Sequence, residues 1–315
     1  MHNSYKNKIL ITGGAGFIPS SLADRLIADG DNFVVAVDNF HTGEKRNLPT
    51  HNPKNYKFIK CDVNNWADIS SIMLSYRFDY VFHYAAVVGV LRTLENPVSV
   101  LNDIDGIKNI LTLSKNSGVK RVFYSSSSEV YGEPVHLPQN ETTTPLNSRL
   151  PYAIVKNVGE AFCKSYQQEF GLDYTIFRFF NTYGPKQSTD FVMSKFLRLA
   201  MKNEPITIYG DGSQTRTFCY IDDNLDACLN AFEKNLFVND VVNVGNDETT
   251  TVLDLAKIII KLTNSKSEIK HLPPLKDGDM TRRQPDIEKM KQLLNRDLLS
   301  LEIGIKRVMA NGNFF

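Results

Sequence analysis

The residues best suited to chemistry are Tyr152 and Lys156, four positions apart in PYAIVK. A helix is predicted from Pro151 to about Phe170, and residues four apart share a helix face. A neighbouring ammonium favours the phenolate, which can act as a base on a hydroxyl, and the lysine can also hold a ribose. The same pair fits a solvated surface helix equally well, so its neighbours must decide between these interpretations.

A serine-rich run, SSSSEVYG at 125–132, follows the apolar segment VKRVFYS. If that segment is a strand of a parallel sheet, the serines lie at its carboxyl edge, where such sheets bind ligands. A hydroxyl there could hydrogen-bond a substrate hydroxyl and share its proton with the tyrosine. Serine runs at strand ends also form ordinary turns.

A glycine-rich turn predicts dinucleotide binding near the N-terminus. ILITGGAGFIPSSLADRL places Gly13, Gly14 and Gly16 between an apolar run and an amphipathic segment. Glycines allow a sharp turn close to a pyrophosphate, which binds the free amides where the helix begins, at Phe17 and Ile18. Pro19 stands where the third glycine of the pattern would fall, a position tolerated in a first helical turn.

The next strand ends at Asp38, whose carboxylate can accept hydrogen bonds from the adenosine ribose. That carboxylate disfavours a 2′-phosphate, so the predicted cofactor is NAD.

Short apolar runs alternate with helical patterns in the first half of the chain, which indicates an α/β fold with a doubly wound parallel sheet of the Rossmann type. We expect an NAD-binding domain over 1–180, also taking in about 215–245, and a smaller, loop-rich substrate domain over 181–315. Val241–Val244 is expected to return to the main sheet. The stretch HLPPLKDGDMTRRQPDI is expected to be an ordered loop.

Composition excludes several classes of protein. A net charge of +1 gives no general attraction for nucleic acid or an anionic membrane. No apolar stretch approaches the length of a membrane span. The four cysteines have no paired spacing, so neither a disulfide framework nor a metal site is predicted, and a cytoplasmic setting is expected.

Seven blocks carry a resemblance to a known family. They are TGGAGFI, VDNFHTGEKRN, FHYAAVV, SSSSEVYG, YAIVK, FRFFNTYGP and YGDGSQTRTFCYIDD. In this order they resemble the extended short-chain dehydrogenase/reductases that act on nucleotide sugars. The resemblance implies that Tyr152 is the catalytic acid/base, that Lys156 anchors the nicotinamide ribose and that Ser127 is the hydroxyl partner. It also implies a homodimer and cofactor contacts at further positions, namely Asn39, Asp62, Val63, Ala85 and Ala86.

The substrate ligands are expected among arginines, whose forked donors suit phosphate. The resemblance makes Arg216 a ligand of the diphosphate of a nucleoside-diphosphate sugar, with Arg283 and Asn181 as further substrate contacts. Salt bridges to nearby acids, Asp222, Asp223 or Asp286, are the simpler alternative for the arginines. The acids in IDD at 221–223 are expected to cap a helix, and His83 is expected to be structural.

Several reactions fit the motifs, and all begin with oxidation of carbon 4 of the sugar. Ser127 and AAVVGVLRTLENP resemble the 4-epimerases, and epimerisation is the reaction that we predict first. Glu129 and RRQPDI resemble the UDP-glucuronate decarboxylases, whereas Ser128 replaces the acid usual in 4,6-dehydratases. A dehydrogenase releasing the ketone and, from another class, a non-catalytic NAD sensor complete the alternatives.

One further position departs from the family pattern. Asp103 stands where asparagine is usual, and a carboxylate cannot donate a hydrogen bond.

Overall fold

The computed structural model describes residues 5–50, 53–274 and 282–311. Its strands are β1 (Asn7–Thr12), β2 (Asn32–Asp38), β3 (Tyr56–Lys60), β4 (Tyr80–His83), β5 (Arg121–Ser127), β6 (Asp173–Phe179), β7 (Thr182–Tyr183), β8 (Ile206–Tyr209), β9 (Thr215–Thr217), β10 (Cys219–Tyr220), β11 (Asp240–Val244), β12 (Thr249–Thr251) and β13 (Ile269–Leu272). Its α-helices are α1 (Phe17–Ile27), α2 (Trp66–Tyr76), α3 (Val90–Glu95), α4 (Pro97–Leu101), α5 (Asp103–Ser117), α6 (Pro151–Phe170), α7 (Val192–Met201), α8 (Ile221–Glu233), α9 (Val252–Thr263), α10 (Glu288–Leu294) and α11 (Leu301–Ala310).

The main sheet has seven strands in the order β11-β6-β5-β4-β1-β2-β3. The pairings of β1 with β2 and β4, of β2 with β3, and of β4 with β5 are parallel. Since β1 lies between β2 and β4, the order of the strands along the chain reverses at β1. Doubly wound sheets bind their ligands at such a switch point.

Each strand contributes alternate side chains to the two faces of the sheet. Leu10, Val35, Val81 and Val122 belong to one apolar cluster with buried residues of α2, α5 and α6. On the other face Phe123 stacks on Phe82, with ring centroids 4.4 Å apart, and on Phe177, at 6.1 Å. Both faces are apolar, which is why these strands read as continuous hydrophobic runs.

Contacts along the chain divide it into two compact units. The first comprises Met1–Val130, Arg149–Arg178 and Phe237–Val241, and the second Tyr131–Ser148, Phe179–Leu236 and Val242–Phe315. The second unit therefore takes in Tyr131–Ser148, which precedes α6 in the chain. The assignment of a cofactor domain and a substrate domain remains a prediction.

The predicted fold class is confirmed, and β11 joins the main sheet as expected. The long helix α6 has the predicted bounds. Before β5 the chain forms two consecutive helices, since α4 ends at Leu101 and α5 begins at Asp103. In the stretch predicted as an ordered loop, residues 275–281 lie outside the described residues. Across the described ranges, no helix has the length and apolar character needed to cross a membrane.

Candidate active site

The turn after β1 has no room for side chains. A Cβ on Gly13 would lie 2.9 Å from the backbone of Ala85, and one on Gly14 would lie 2.6 Å from Cβ of Ala36. Gly13 also has a φ of +72°, a conformation that L side chains rarely adopt. The glycines therefore let this turn lie directly against the neighbouring strand and the loop that follows β4.

Helix α1 begins immediately after this turn, with Gly16 as its N-cap and no side-chain capping bond there. The first backbone hydrogen bond of this helix runs from Ser20 N to Gly16 O. The amides of Phe17 and Ile18 therefore lie before the regular i to i−4 hydrogen bonds of the helix. Pro19 lies buried in this first turn, where its missing amide costs nothing. These amides and the helix dipole suit an anion such as a pyrophosphate.

Asp38 fixes the loop that follows β2. Its Oδ2 accepts a hydrogen bond from Ala15 N at 3.0 Å, and its Oδ1 accepts one from Phe40 N at 2.7 Å. Burial raises the pKa of this carboxyl, although both hydrogen bonds favour the charged form. Each oxygen keeps a second lone pair, so the carboxylate can still accept ribose hydroxyls.

The neighbouring polar residues after β3 are tied to the same edge. Asn39 donates to Asp62 Oδ2 at 3.2 Å, and Asp62 Oδ1 accepts a bond from Asn64 N at 2.9 Å. The carbonyl of Val63 accepts from Asn109 Nδ2 at 2.9 Å. The structure thus brings Asn39 and Asp62 together and anchors Val63 next to them. Their contacts with the cofactor stay a prediction.

Thr12 and His83 hold the loop that contains Ala85. Thr12 Oγ1 accepts hydrogen bonds from Tyr84 N and Ala85 N, both at 3.0 Å, and lies 2.8 Å from His83 Nδ1. Because both amides donate to this oxygen, the hydroxyl donates its own proton to Nδ1. Burial lowers the pKa of His83 to about 3, so the ring stays neutral at physiological pH. The contacts are those of a structural histidine.

Lys156 is almost fully buried on α6, with 4% of its surface exposed. Its Nζ donates to the carbonyl of Ser125 at 2.7 Å and lies 3.3 Å from the Ser125 hydroxyl. The ammonium is 5.8 Å from the ring centroid of Tyr152 and 5.2 Å from that of Tyr124. Burial lowers the pKa of Lys156 to about 8, which leaves it mostly protonated at neutral pH. The ammonium therefore lies beside the Tyr152 ring and can stabilise negative charge there.

One turn further along α6, a buried ion pair ties the helix to the sheet. Glu160 accepts from Arg178 Nε at 2.9 Å and from Arg178 Nη2 at 2.7 Å. Ser126 Oγ donates to Glu160 Oε1 at 2.6 Å. Ser125 and Ser126 thus both bind α6, and this fixes the position of Lys156 relative to the end of β5.

Ser127 ends β5, and its hydroxyl accepts a hydrogen bond from Glu129 N at 3.2 Å. Ser127, Ser128 and Glu129 are all buried. The position occupied by Ser128 is thus inside the protein but carries no acidic group.

In the second unit, Arg216 and Arg283 lie on neighbouring chain segments. Thr215 and Arg282 form a parallel bridge, so Arg216 and Arg283 each directly follow a bridged residue. Both arginines are buried, with 8% and 7% exposed. The forked guanidinium donors suit a diphosphate, so these two arginines stay the predicted diphosphate ligands.

The acids at the start of α8 make contacts other than the predicted helix cap. Asp223 accepts from Arg296 Nη1 at 2.6 Å and from Leu299 N at 3.0 Å, and Asp222 accepts from Arg307 at 2.8 Å. The helix begins after Tyr220 without a side-chain capping bond. The capping interpretation of this acid pair is therefore wrong: its partners are the arginines of distant segments. Among the described residues no cluster of metal-binding side chains occurs.

The chain is similar to known proteins over most of its length. The family model described as "NAD dependent epimerase/dehydratase family" matches residues 9–245. UDP-glucuronic acid decarboxylase 1 of Danio rerio is 36% identical over 313 residues, which cover 96% of this chain and 72% of the relative.

Two solved structures are similar over almost the whole chain. The UDP-glucose 4-epimerase of Thermotoga maritima, solved with UDP-glucose, has a TM-score of 0.90 and 34% identity, and the match covers 96% of this chain and 97% of that one. The UDP-glucuronic acid 4-epimerase of Bacillus cereus, solved with UDP-glucuronic acid and NAD, has a TM-score of 0.89 and 29% identity, with 98% of each chain covered.

The chain belongs to the NAD dependent epimerase/dehydratase family. It is an NAD-dependent enzyme, and the relatives named above act on nucleotide sugars. Its glycine turn fits this cofactor because the Cβ positions of Gly13 and Gly14 are occupied by neighbouring backbone and side-chain atoms.

Sequence reasoning missed several residues of this family member's site. Ser125 is the hydrogen-bond partner of Lys156, but the sequence pattern singled out only Ser127 in the serine run. Gln139 was not singled out, yet its backbone bonds to Gln284 O at 2.7 Å and to Asp286 N at 2.8 Å hold the segment that contains Arg283. No local pattern marks such a pairing, whereas the position of Thr12 directly before the glycines was a usable signal.

The close packing at Gly13 gives a testable prediction. We expect Gly13→Ala to weaken NAD binding by this enzyme at least tenfold, because the new methyl group must displace Ala85 and the backbone of a positive-φ position is strained. Gly30→Ala is the matched control, since Gly30 has a φ of +74° but no atom within 4 Å of its Cβ position. Titration of NAD by calorimetry should show a loss for the first variant alone; equal losses would contradict the role of the close approach.

Proposed function

We propose that this enzyme oxidises carbon 4 of a UDP-sugar and is a 4-epimerase. The observation that carries the proposal is the buried Lys156 ammonium, held by Ser125 beside the ring of Tyr152 on the same helix face. NAD, held at the turn of Gly13 and Gly16 and by the Asp38 carboxylate, would supply the hydride acceptor and the hydride donor of such a reaction. The UDP moiety is inferred from the relatives named above.

The residues divide the remaining work. The Tyr152 oxygen takes the proton of the carbon 4 hydroxyl as the ketone forms and returns it when the ketone is reduced. Lys156 stabilises the tyrosinate that the first step needs, and the hydroxyl of Ser127 shares a hydrogen bond with the sugar oxygen. Because one tyrosine gives back the proton that it took, the reaction is balanced without an external acid.

The absence of an acid at Ser128 supports epimerisation over dehydration. Loss of water from the sugar needs a proton donor for the leaving hydroxyl, and a serine hydroxyl is too weak an acid for that task. The similarity in fold to the Thermotoga maritima 4-epimerase gives further support.

Decarboxylation of UDP-glucuronate is the second candidate, favoured by the types of two residues. Glu129 and Arg283 are both buried, and these are the residue types expected to manage a sugar carboxylate. The identity with the Danio rerio decarboxylase supports the same outcome. A 4-keto uronate loses carbon dioxide readily, so the two reactions share their first step.

A substrate panel separates the alternatives. The purified enzyme is incubated with UDP-glucose, UDP-galactose and UDP-glucuronate, and the products are identified by NMR. An epimerase converts the first two into the same equilibrium mixture from either side. Formation of a UDP-pentose and carbon dioxide from UDP-glucuronate would replace the epimerase proposal with the decarboxylase one, and net NADH production would indicate release of the ketone. No conversion of any panel sugar would overturn both.

The proposed diphosphate site predicts an effect on substrate affinity. We expect Arg283→Met to raise KM for the UDP-sugar about 10- to 100-fold, the loss of roughly 1.5–3 kcal/mol of charge-assisted hydrogen bonding, with a smaller change in kcat. Arg282→Met is the control, because Arg282 is its exposed neighbour and carries the same charge. Steady-state kinetics at constant ionic strength measure both variants, and equal KM values for the two would remove the assignment.

A further inference from the structure

Tyr124 lies on β5 directly before the serine run, and its ring packs against α6. Gly159, three positions after Lys156 on that helix, faces the ring. A Cβ at this glycine would overlap the hydroxyl oxygen and Cζ of Tyr124 and would lie 2.8 Å from its Cε1. The ring, which is 2% exposed, therefore occupies the space that a side chain at position 159 would take.

The ring of Tyr124 makes the contacts, and its hydroxyl does not. The hydroxyl oxygen is buried and has no hydrogen-bond partner among the described residues. A buried hydroxyl without a partner costs free energy, so packing alone does not require a tyrosine here. The ring stacks on His83, with centroids 6.0 Å apart. Burial raises the pKa of the Tyr124 hydroxyl well above its ordinary value, so the ring stays neutral.

The Lys156 ammonium lies over this neutral ring, with Nζ 5.2 Å from the ring centroid. The face of an aromatic ring attracts a cation within about 6 Å, and more strongly where water is excluded. Lys156 is 4% exposed, and among the described residues its hydrogen bonds go to the neutral oxygens of Ser125. The ring of Tyr124 therefore stabilises a buried charge that no carboxylate contacts directly in the described part of the chain.

Two hydrogen bonds keep α6 from moving away from β5 at this point. Lys156 Nζ donates to the Ser125 carbonyl at 2.7 Å, and Ser126 Oγ donates to Glu160 Oε1 at 2.6 Å. The two helix residues flank the glycine that faces the ring. A side chain at the glycine position would thus displace the ring, since the helix is held on both sides, and the ring would lose its place under the ammonium.

We propose that Tyr124 is a positioning residue whose ring holds the Lys156 ammonium, in its charged form, against the Ser125 carbonyl and beside Tyr152. Gly159 has the complementary part of leaving room for that ring. The packing and the ammonium contact lie within the first unit, whereas their effect on turnover rests on the proposed function.

The other titratable groups that interact with Tyr124 or Lys156 are the same in every variant of the test. They come from β4, α5 and α6 and are His83, Asp103, Tyr152, Glu160 and Cys163. Because these side chains stay in place, a change in the titration of Lys156 reports on the ring.

The test removes either the whole ring or only its hydroxyl. Tyr124→Leu removes the aromatic face, and Tyr124→Phe keeps it and is the matched control. Titration of Lys156 is followed by NMR in protein with ¹³C-labelled lysine, with a Lys156→Arg sample to assign the signal. We expect the midpoint to fall by about one pH unit in Tyr124→Leu and to stay in place in Tyr124→Phe. Equal midpoints in the two variants would overturn the proposal, and Tyr124→Met replaces Tyr124→Leu if that variant does not fold.

Gly159→Ala tests the part assigned to the glycine. The new methyl group displaces the ring, so we expect the Lys156 midpoint to fall as it does in Tyr124→Leu. In a chain that already carries Tyr124→Leu, Gly159→Ala should add no further shift, because the ring is gone. Alanine is the better helix former, so α6 itself is not weakened. An unchanged midpoint in Gly159→Ala, or shifts that add in the double variant, would overturn the part of the proposal that concerns Gly159.

The kinetic arm follows kcat against pH. Burial lowers the pKa of Lys156 to about 8, and loss of the ring should lower it further. We therefore expect Tyr124→Leu to be about threefold slower than Tyr124→Phe near pH 7.5 and similar to it near pH 6, where both lysines are protonated. A purely structural role would lower kcat equally at both pH values. If the wild type turns over no UDP-sugar, the proposed function fails, while the NMR titration still decides the role of the ring.

Discussion

Tyr152→Phe is expected to lower kcat about 10²- to 10⁴-fold while KM for the UDP-sugar and the affinity for NAD stay within a fewfold of the wild type. The substitution removes one oxygen and leaves the ring beside the Lys156 ammonium. Without that oxygen no group takes the carbon 4 proton as hydride leaves, so the barrier rises although binding is preserved.

Tyr166→Phe is the matched control on the same helix. Tyr166 makes a 2.8 Å hydrogen bond with Thr112, so its loss should cost about 1 kcal/mol of stability and leave kcat unchanged. Single-turnover reduction of bound NAD by UDP-glucose, followed at 340 nm, isolates the first hydride transfer. A Tyr152→Phe enzyme that reduces NAD at the wild-type rate would remove Tyr152 from the mechanism.

Arg178→Met is expected to cost about 3–5 kcal/mol of unfolding free energy, the largest stability effect that we predict. Arg178 and Glu160 are 2% and 1% exposed and are joined by two hydrogen bonds. Removing the arginine leaves the Glu160 carboxylate buried, with the hydroxyl of Ser126 as its remaining polar partner among the described residues. Since whole domains are stable by about 5–15 kcal/mol, this loss should be visible as a large drop in the urea midpoint.

Two further variants test the reason for that loss. Glu160→Leu combined with Arg178→Met removes both charges and should recover most of the stability, because an apolar pair has no uncompensated charge. Lys120→Met breaks the exposed pair with Asp79, 2.9 Å apart, and should cost less than about 1 kcal/mol. A double variant as unstable as Arg178→Met would show that packing, and not the buried charge, is responsible.

The sequence predicted the features that depend on local pattern. Glycines 13, 14 and 16 between an apolar run and a helix indicated the turn because few other residues tolerate such close packing. Alternation of apolar strands with helices indicated the parallel sheet, and the bounds of α6 followed from Pro151 at its start and Gly171 after its end. The cofactor and the fold class could be predicted this way, whereas the family was indicated by the resemblance of the seven sequence blocks.

The sequence did not determine which reaction follows the oxidation of carbon 4. Glu129 resembles the decarboxylases and Ser127 the 4-epimerases, and neither spacing nor composition chooses between these reactions. The homodimer and the roles of the individual site residues likewise remain predictions.

Asp103 shows where sequence reasoning stopped short. The sequence established that a carboxylate at this position cannot donate a hydrogen bond. The structure shows that the Asp103 carboxylate accepts a hydrogen bond from the Val87 amide, so this position requires an acceptor.

What the sequence by itself determined is therefore the chemistry available to this enzyme: a cofactor turn, a tyrosine and a lysine on one helix face, and arginines for phosphate. Only the tertiary structure decided which of these groups meet. It brought Ser125 into contact with Lys156, and it paired the chain segments that carry Arg216 and Arg283. The physical reason is that helix faces and turns follow from residues a few positions apart, whereas these contacts join segments tens of residues apart, whose pairing depends on how strands and loops pack.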